Sequence, residues 1–225
     1  MKVVNLMFEK QPLHYLLLML LLGLTYLISR IGGFFAGQYY GINTITWFYL
    51  SIAFPIIHQV YVWFCWRTQL HYSLVTRIFS ARGFTYYSIG FFTLALVRII
   101  CVVILAISNK NSFYFDQFSL NILAFIIAIL AVYLFYSVGR YFKMKRALGI
   151  DHFDNSYGDR PLVKEGIYRF VDNGMYLFGV AIIWIPGLVY ASKAALLSAL
   201  FTHLYIWVHY YCTEKPDMMR IYTVD

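Results

Sequence analysis

NGMYLFGVAIIWIPGLVYASKAALLSALFTHLYIWVHYYCTE, residues 173–214, carries a single full charge, Lys193, before its final glutamate. On either side of that lysine lie 20 uncharged residues, Asn173–Ser192 and Ala194–Thr213. About 20 apolar residues in a helix cross the hydrocarbon core of a bilayer. The connection Ala191-Ser192-Lys193 is so short that the two segments predict a tight antiparallel helical hairpin inside a membrane. Pro186-Gly187, in the upper part of the first arm, predicts a bend there.

The rest of the chain repeats this pattern. Uncharged windows cover Gln11–Ser29 (19 residues), Ile31–Trp66 (36) and Gln117–Gly139 (23), and Gly83–Asn109 is broken only by Arg98. The long window begins with Gly37, Gln38, Asn43 and Thr44, which leaves Trp47–Trp66 as the crossing part. With 61% hydrophobic and 12% charged residues and a mean hydropathy of +0.66, a soluble globule is excluded as the expectation. The predicted fold is an all-α polytopic membrane protein of about six transmembrane helices, one membrane domain over 1–225. No repeat, linker or second domain interrupts it. Lys2 and Lys10 precede the first apolar run without a small-residue cleavage site after it, so that run reads as a span. Cys65, Cys101 and Cys212 fall in different segments and read as packing residues.

Six spans put both termini on one side with loops 67–82 and 140–172. That side holds 14 of the 18 Lys and Arg, the other side three, and Arg98 lies within a span. The positive-inside rule makes the rich side cytoplasmic. The formal net charge of +8 is then a topology signal and an attraction to anionic headgroups, not a nucleic-acid footprint.

Residues 140–174, RYFKMKRALGIDHFDNSYGDRPLVKEGIYRFVDNG, form a long loop for a compact membrane protein. A solvated basic loop is the plain reading, and long loops are also where function concentrates. The last helix argues for function. His203, Trp207, Tyr210 and Glu214 follow at helical spacing and share one face. A polar stripe on a span calls for a partner or a ligand, because lipid offers neither. Other chemistries fail. GGFFAG (32–37) follows no strand, so it is no dinucleotide loop, and DHFDNSYGD (151–159) lacks metal-ligand spacing. No serine sits in a nucleophile elbow, and the RIYTVD end is no prenylation box.

LVKEGIYR (162–169), then Asp172-Asn173 with Met175-Tyr176, the hairpin, and Glu214-x-Pro216 with Ile221-Tyr222, resembles the integral-membrane methyltransferases. That family includes phosphatidylethanolamine N-methyltransferases and isoprenylcysteine carboxyl methyltransferases. The likeness covers about 137–222, and helices within 1–136 share only hydrophobicity. It implies S-adenosylmethionine held from the cytoplasmic side by Leu162, Val163, Gly166, Ile167, Tyr168, Arg169, Asn173, Tyr176, Tyr210 and Glu214, with a lipid acceptor arriving from the bilayer. Two positions depart from the family. Asn173-Gly174 stands where a Pro usually follows, and Glu214-Lys215 where two glutamates are usual. The Pro216 to Tyr222 tail leans toward the phospholipid enzymes.

The implied chemistry suits these residues. Methyl transfer from a sulfonium needs alignment above all, since the cofactor carries the reactive group. An Arg169 fork suits a carboxylate, Glu214 suits a cationic group, and Tyr168, Tyr176, Tyr210 and Tyr211 offer faces to a sulfonium, though tyrosines also anchor at interfaces. An ethanolamine acceptor must lose a proton to Asp172, Glu165 or Glu214. Arg98, His203 and Trp207 are the candidate acceptor contacts. For Arg98 the choices are a lipid phosphate or backbone carbonyls near Pro55 and His58, and for His203 a cavity or a packed hydrogen bond. Rival readings are a carboxyl acceptor, an NADPH-dependent membrane reductase, a transporter and a non-catalytic relative. No inverted repeat supports the transporter.

Overall fold

The computed structural model describes residues 6–161 and 163–222. Apart from a short hairpin of Gln38–Tyr39 (β1) with Ile42–Asn43 (β2), the described regular structure is helical, as the apolar windows predict. Helices α1 (Gln11–Ser29), α2 (Thr44–Tyr72), α3 (Leu74–Phe79), α4 (Gly83–Ser108) and α5 (Gln117–Ser137) come first. The long loop then contains α6 (Met144–Ala147) and several 3-10 turns. The hairpin arms carry α7 (Trp184–Val189) and α8 (Lys193–His209), and α9 (Lys215–Ile221) follows.

Four of the six expected spans are helices long and apolar enough to cross a membrane: Gln11–Ser29, Thr44–Tyr72, Leu74–Ser108 and Gln117–Phe142. The first hairpin arm holds a shorter apolar helix, Met175–Val189. The run ends at Val189, just before the tight connection to α8; within it Pro186 has no N–H to donate to the Ile182 carbonyl, and the preceding turn, Val180–Ile183, tightens to 3-10.

Hydrogen bonds identify two faces of the bundle. On one, Arg67 of α2 meets Asp217 of α9 at 2.8 Å, and the Tyr222 hydroxyl donates to Asp151 at 2.9 Å. On the other, Asn109 Nδ2 donates to the Ala36 carbonyl at 2.8 Å, and its Oδ1 accepts from Ser192 Oγ and the Ala194 N–H, each at 3.1 Å. The chain passes between these faces six times, so both described ends and the 140–174 loop share the first, hereafter the loop face.

The centre is built from α1, α2, α4 and α8. Leu105, Ala106, Ala194, Ala195 and Phe201 are fully buried there. Small residues on α8 let its neighbours approach closely. α5 stands apart: it packs on α7 and on the turns of the loop, not along α4.

Candidate functional site: two cavities with a common wall

Three π-helical turns meet at the loop face: Val138–Phe142 after α5, Met175–Gly179 at the hairpin entrance, and Tyr210–Glu214 after α8. Each inserts one residue beyond α-helical spacing, a distortion common at functional sites. They turn Phe142, Met175, Tyr176 and Glu214 into a wall shared by two cavities.

The smaller cavity, about 310 Å³, is walled by aromatic rings and methionines, with Asp172, Asn173, Glu214 and Lys215 set among them. It brings together six residues that the sequence singles out: Tyr168, Asp172, Asn173, Tyr176, Tyr210 and Glu214. The Tyr176 ring lies 5.3 Å from Tyr210 and 5.7 Å from Trp207, and its hydroxyl donates to Glu214 Oε2. Tyr168 stacks on Phe142 at 5.0 Å, and its buried hydroxyl has no partner among the described residues. Burial pushes that phenol up to about 12.

Four other loop residues line neither cavity. Gly166, at φ 61, brings the loop onto α5 so closely that a Cβ would lie 2.6 Å from Ser137 Oγ. The next N–H, of Ile167, donates to that oxygen at 3.1 Å, and Ile167 itself packs with Leu134 and Val138, Val163 lying against the same cluster. These three shape the wall from behind. Arg169 is exposed and lines neither cavity. Leu162 lies outside the described residues.

The larger cavity, about 400 Å³, is mostly apolar and runs inward between α2, α4, α5 and the hairpin. Arg98 lines its deep end with His58. His203 does not: its Nδ1 accepts from Trp184 Nε1 at 3.1 Å, the packed role. Trp207 lines neither cavity and stands behind Tyr176.

The sequence reading missed a buried charge network beneath both cavities. Arg67 Nε lies 2.8 Å from Asp217, and His152 Nε2 stands 3.6 Å from the same carboxylate. His152 Nδ1 meets Asp151 at 3.0 Å, and Trp66 stacks on the imidazole at 4.2 Å. Burial opposes the charged imidazole, but the hydrogen bonds and charges of Asp151 and Asp217 outweigh it and hold His152 at about 9. Burial does most to raise the Glu214 carboxyl, and Asp151 and Asp217 add to it against His152, so it is pushed up to about 8. Arg146 was missed too. Its guanidinium sits over the Phe142 and Tyr222 rings at 5.5 and 5.3 Å, lines the larger cavity, and keeps its buried Nη2 unpaired among the described residues. The signal was present in a cation-rich loop, but local spacing does not tell which of its cations turns inward.

Residues 120–225 match the phospholipid methyltransferase family. A stretch of 72 residues, 29% of this chain, is 36% identical to the phosphatidylethanolamine N-methyltransferases of Sordaria macrospora and Neurospora crassa. The match covers 8% of each of those proteins, so this chain corresponds to a small part of their length. No solved structure matches the chain. The family match takes in α5, the loop, the hairpin and α9, the elements that carry the three π turns.

Proposed function

We propose that the phospholipid methyltransferase match over residues 120–225 reports an S-adenosylmethionine-dependent methyltransferase that acts on the amine of a membrane phospholipid of the phosphatidylethanolamine type. The observation that carries this reading is the pair of cavities, one lined by tyrosines with Asp172, Asn173 and Glu214 and one running inward between apolar helices, meeting at Tyr176 and Glu214. A reaction between a polar donor and a lipid acceptor needs two such chambers with a common wall.

The smaller cavity fits the donor. Asn173 and the Tyr168 hydroxyl, unpaired among the described residues, offer hydrogen bonds, Tyr176 and Tyr210 offer aromatic faces to a cation, and Asp172 offers negative charge. Arg146, over the Phe142 and Tyr222 rings that both cavities share, keeps its Nη2 unpaired among the described residues and is the cation we assign to a carboxylate reaching past that wall. When bound, S-adenosylmethionine supplies an electrophilic methyl on a sulfonium. The chain does the remaining work. The apolar walls of the larger cavity exclude water and admit acyl chains, and the aromatic cluster of Tyr176, Trp207 and Tyr210 keeps the wall rigid. Glu214, reached from both sides, accepts the proton that an ammonium must lose before its nitrogen can attack. A carboxyl near 8 is basic enough for that task near neutral pH. This favours an amine over a carboxylate acceptor, which has no proton to give up.

The charge bias supports a cytoplasmic loop face, where the donor would be drawn from solution. The deciding experiment is calorimetry of the purified protein with S-adenosylmethionine against NADPH. Binding of the first alone is expected; binding of NADPH alone would replace this reading with a reductase.

A further inference from the structure

The deep end of the larger cavity holds groups that the reaction as described does not use. Arg98 faces it with no hydrogen bond or ion pair among the described residues, and its buried Nε is unpaired. Both ring nitrogens of His58, beside it, are unpaired as well. No acidic side chain lines this end; Asp151 and Glu214 belong to the other. A desolvated cation with no counter-charge inside a membrane segment is costly and marks a place where an anion arrives.

The cavity also has a side opening. Its walls on α4 and α5 include Phe92 and Phe135, each about half exposed at 48% and 49%, because these helices do not pack along one another. Toward the far face the gap closes, since α7 packs against both helices. The opening therefore faces the lipid layer nearer the loop face.

Distance then limits what can lie between the two polar ends. The lining residues run from His58 to Trp66 on α2 and from Phe91 to Ile99 on α4. Eight residues at 1.5 Å rise make this stretch about 12 Å long. Helical side chains lean toward their N-terminus, and α4 begins on the loop face, so the Arg98 side chain reaches back along the cavity toward Glu214. Amine and phosphate in an ethanolamine headgroup are separated by two carbons and an oxygen, which suits one group at each end of this stretch.

Resting on the lipid-acceptor reading above, we infer that Arg98 is the seat for the acceptor's phosphate, reached through the α4–α5 opening, so that the enzyme selects amines carried on a phosphodiester. The test uses the purified full chain in detergent with dioleoyl phosphatidylethanolamine and with oleylamine, a lipid amine lacking phosphate. Arg98→Gln should raise KM for the phospholipid about ten- to hundredfold, the range for a charged hydrogen bond, and leave KM for oleylamine unchanged. Arg98→Lys should fall between. Thermal stabilisation by the phospholipid should vanish in Arg98→Gln, while stabilisation by S-adenosylmethionine should persist. Equal effects on both acceptors, or equal phospholipid stabilisation of both variants, would overturn the inference. Inorganic phosphate should not shift the wild type; a shift lost in Arg98→Gln would assign the site to free anions instead. If S-adenosylmethionine fails to bind at all, the methyltransferase reading falls, and the phospholipid-stabilisation arm still decides Arg98.

Discussion

Two arginines on adjacent helices are treated in opposite ways. Arg67 of α2 is fully buried and saturated: Nε on Asp217, Nη1 on the Leu6 and Met7 carbonyls, Nη2 on the Thr213 carbonyl at 3.3 Å. Arg98 of α4 has none of this. The first ties the start of α1, the end of α2 and α9 into one face, so it belongs to the scaffold. The second is a charge kept without a partner inside the protein. The difference separates what holds the site from what the site is for.

The largest expected effect breaks the first half of that comparison. Arg67→Met leaves Asp217 and His152 buried without their cation, and should cost about 3–5 kcal/mol in unfolding experiments in detergent. Arg98→Met removes a charge that nothing balances, and should leave unfolding within about 1 kcal/mol of the wild type or raise it. Equal losses would show that Arg98 is structural too.

A smaller effect concerns the groups that titrate between the two arginines. Glu214 stands at about 8 against an ordinary 4.5, and His152 at about 9 against 6.5, so both hold protons more tightly when folded. The Glu214 contribution is full below its unfolded value and is lost as pH rises through about 8; that of His152 is lost through about 9. Melting temperature of the cofactor-free protein should therefore fall between about pH 5 and 9, and Glu214→Gln should remove the lower part of the fall. The same substitution should weaken S-adenosylmethionine binding by roughly 1–3 kcal/mol, and Lys215→Ala by less. A flat pH profile in the wild type would contradict the environment assigned to Glu214.

Much of this was legible in the chain, and the part that was not has a physical cause. Hydropathy and charge are local, so the helices, the hairpin and the polar character of Tyr168, Asn173, Tyr176, Tyr210 and Glu214 could be read directly. Arg67 with Asp217, and Tyr222 with Asp151, are pairings across 150 and 71 residues, which no periodicity carries. Helical spacing gave His203 and Glu214 one face, but the π turn at Tyr210–Glu214 lies between them and breaks that register. That Arg146 lines a cavity and Arg169 does not was hidden for a related reason, since the loop's direction is set by its contact with α5.

The smallest effect is a control near neither arginine. Gly174 has φ −55, a right-handed helical value, so this entrance keeps helical geometry without a proline. Gly174→Pro should be tolerated and stabilise by about 0.4–1 kcal/mol, read by thermal unfolding. Its Cβ would stand 3.3 Å from Ile167 Cγ2, a contact that a small side-chain movement relieves. A loss of cofactor binding would show that the wall cannot be stiffened without harm.

The three π turns make the site sensitive to arithmetic more than to spelling. Each holds one residue more than an α turn requires. Deleting one residue of Tyr210–Glu214 would let the helix close into regular α form, and because the wide turn already absorbs its extra residue, what lies beyond would stay nearly in place. Asp217 would keep Arg67 and Tyr222 would keep Asp151, but the side chains of the turn itself would be re-aimed and the common wall at Glu214 would lose its shape. Single-residue deletions inside these turns should therefore spare the fold and damage the site, and a deletion scan should separate the cavity wall from the scaffold more sharply than an alanine scan.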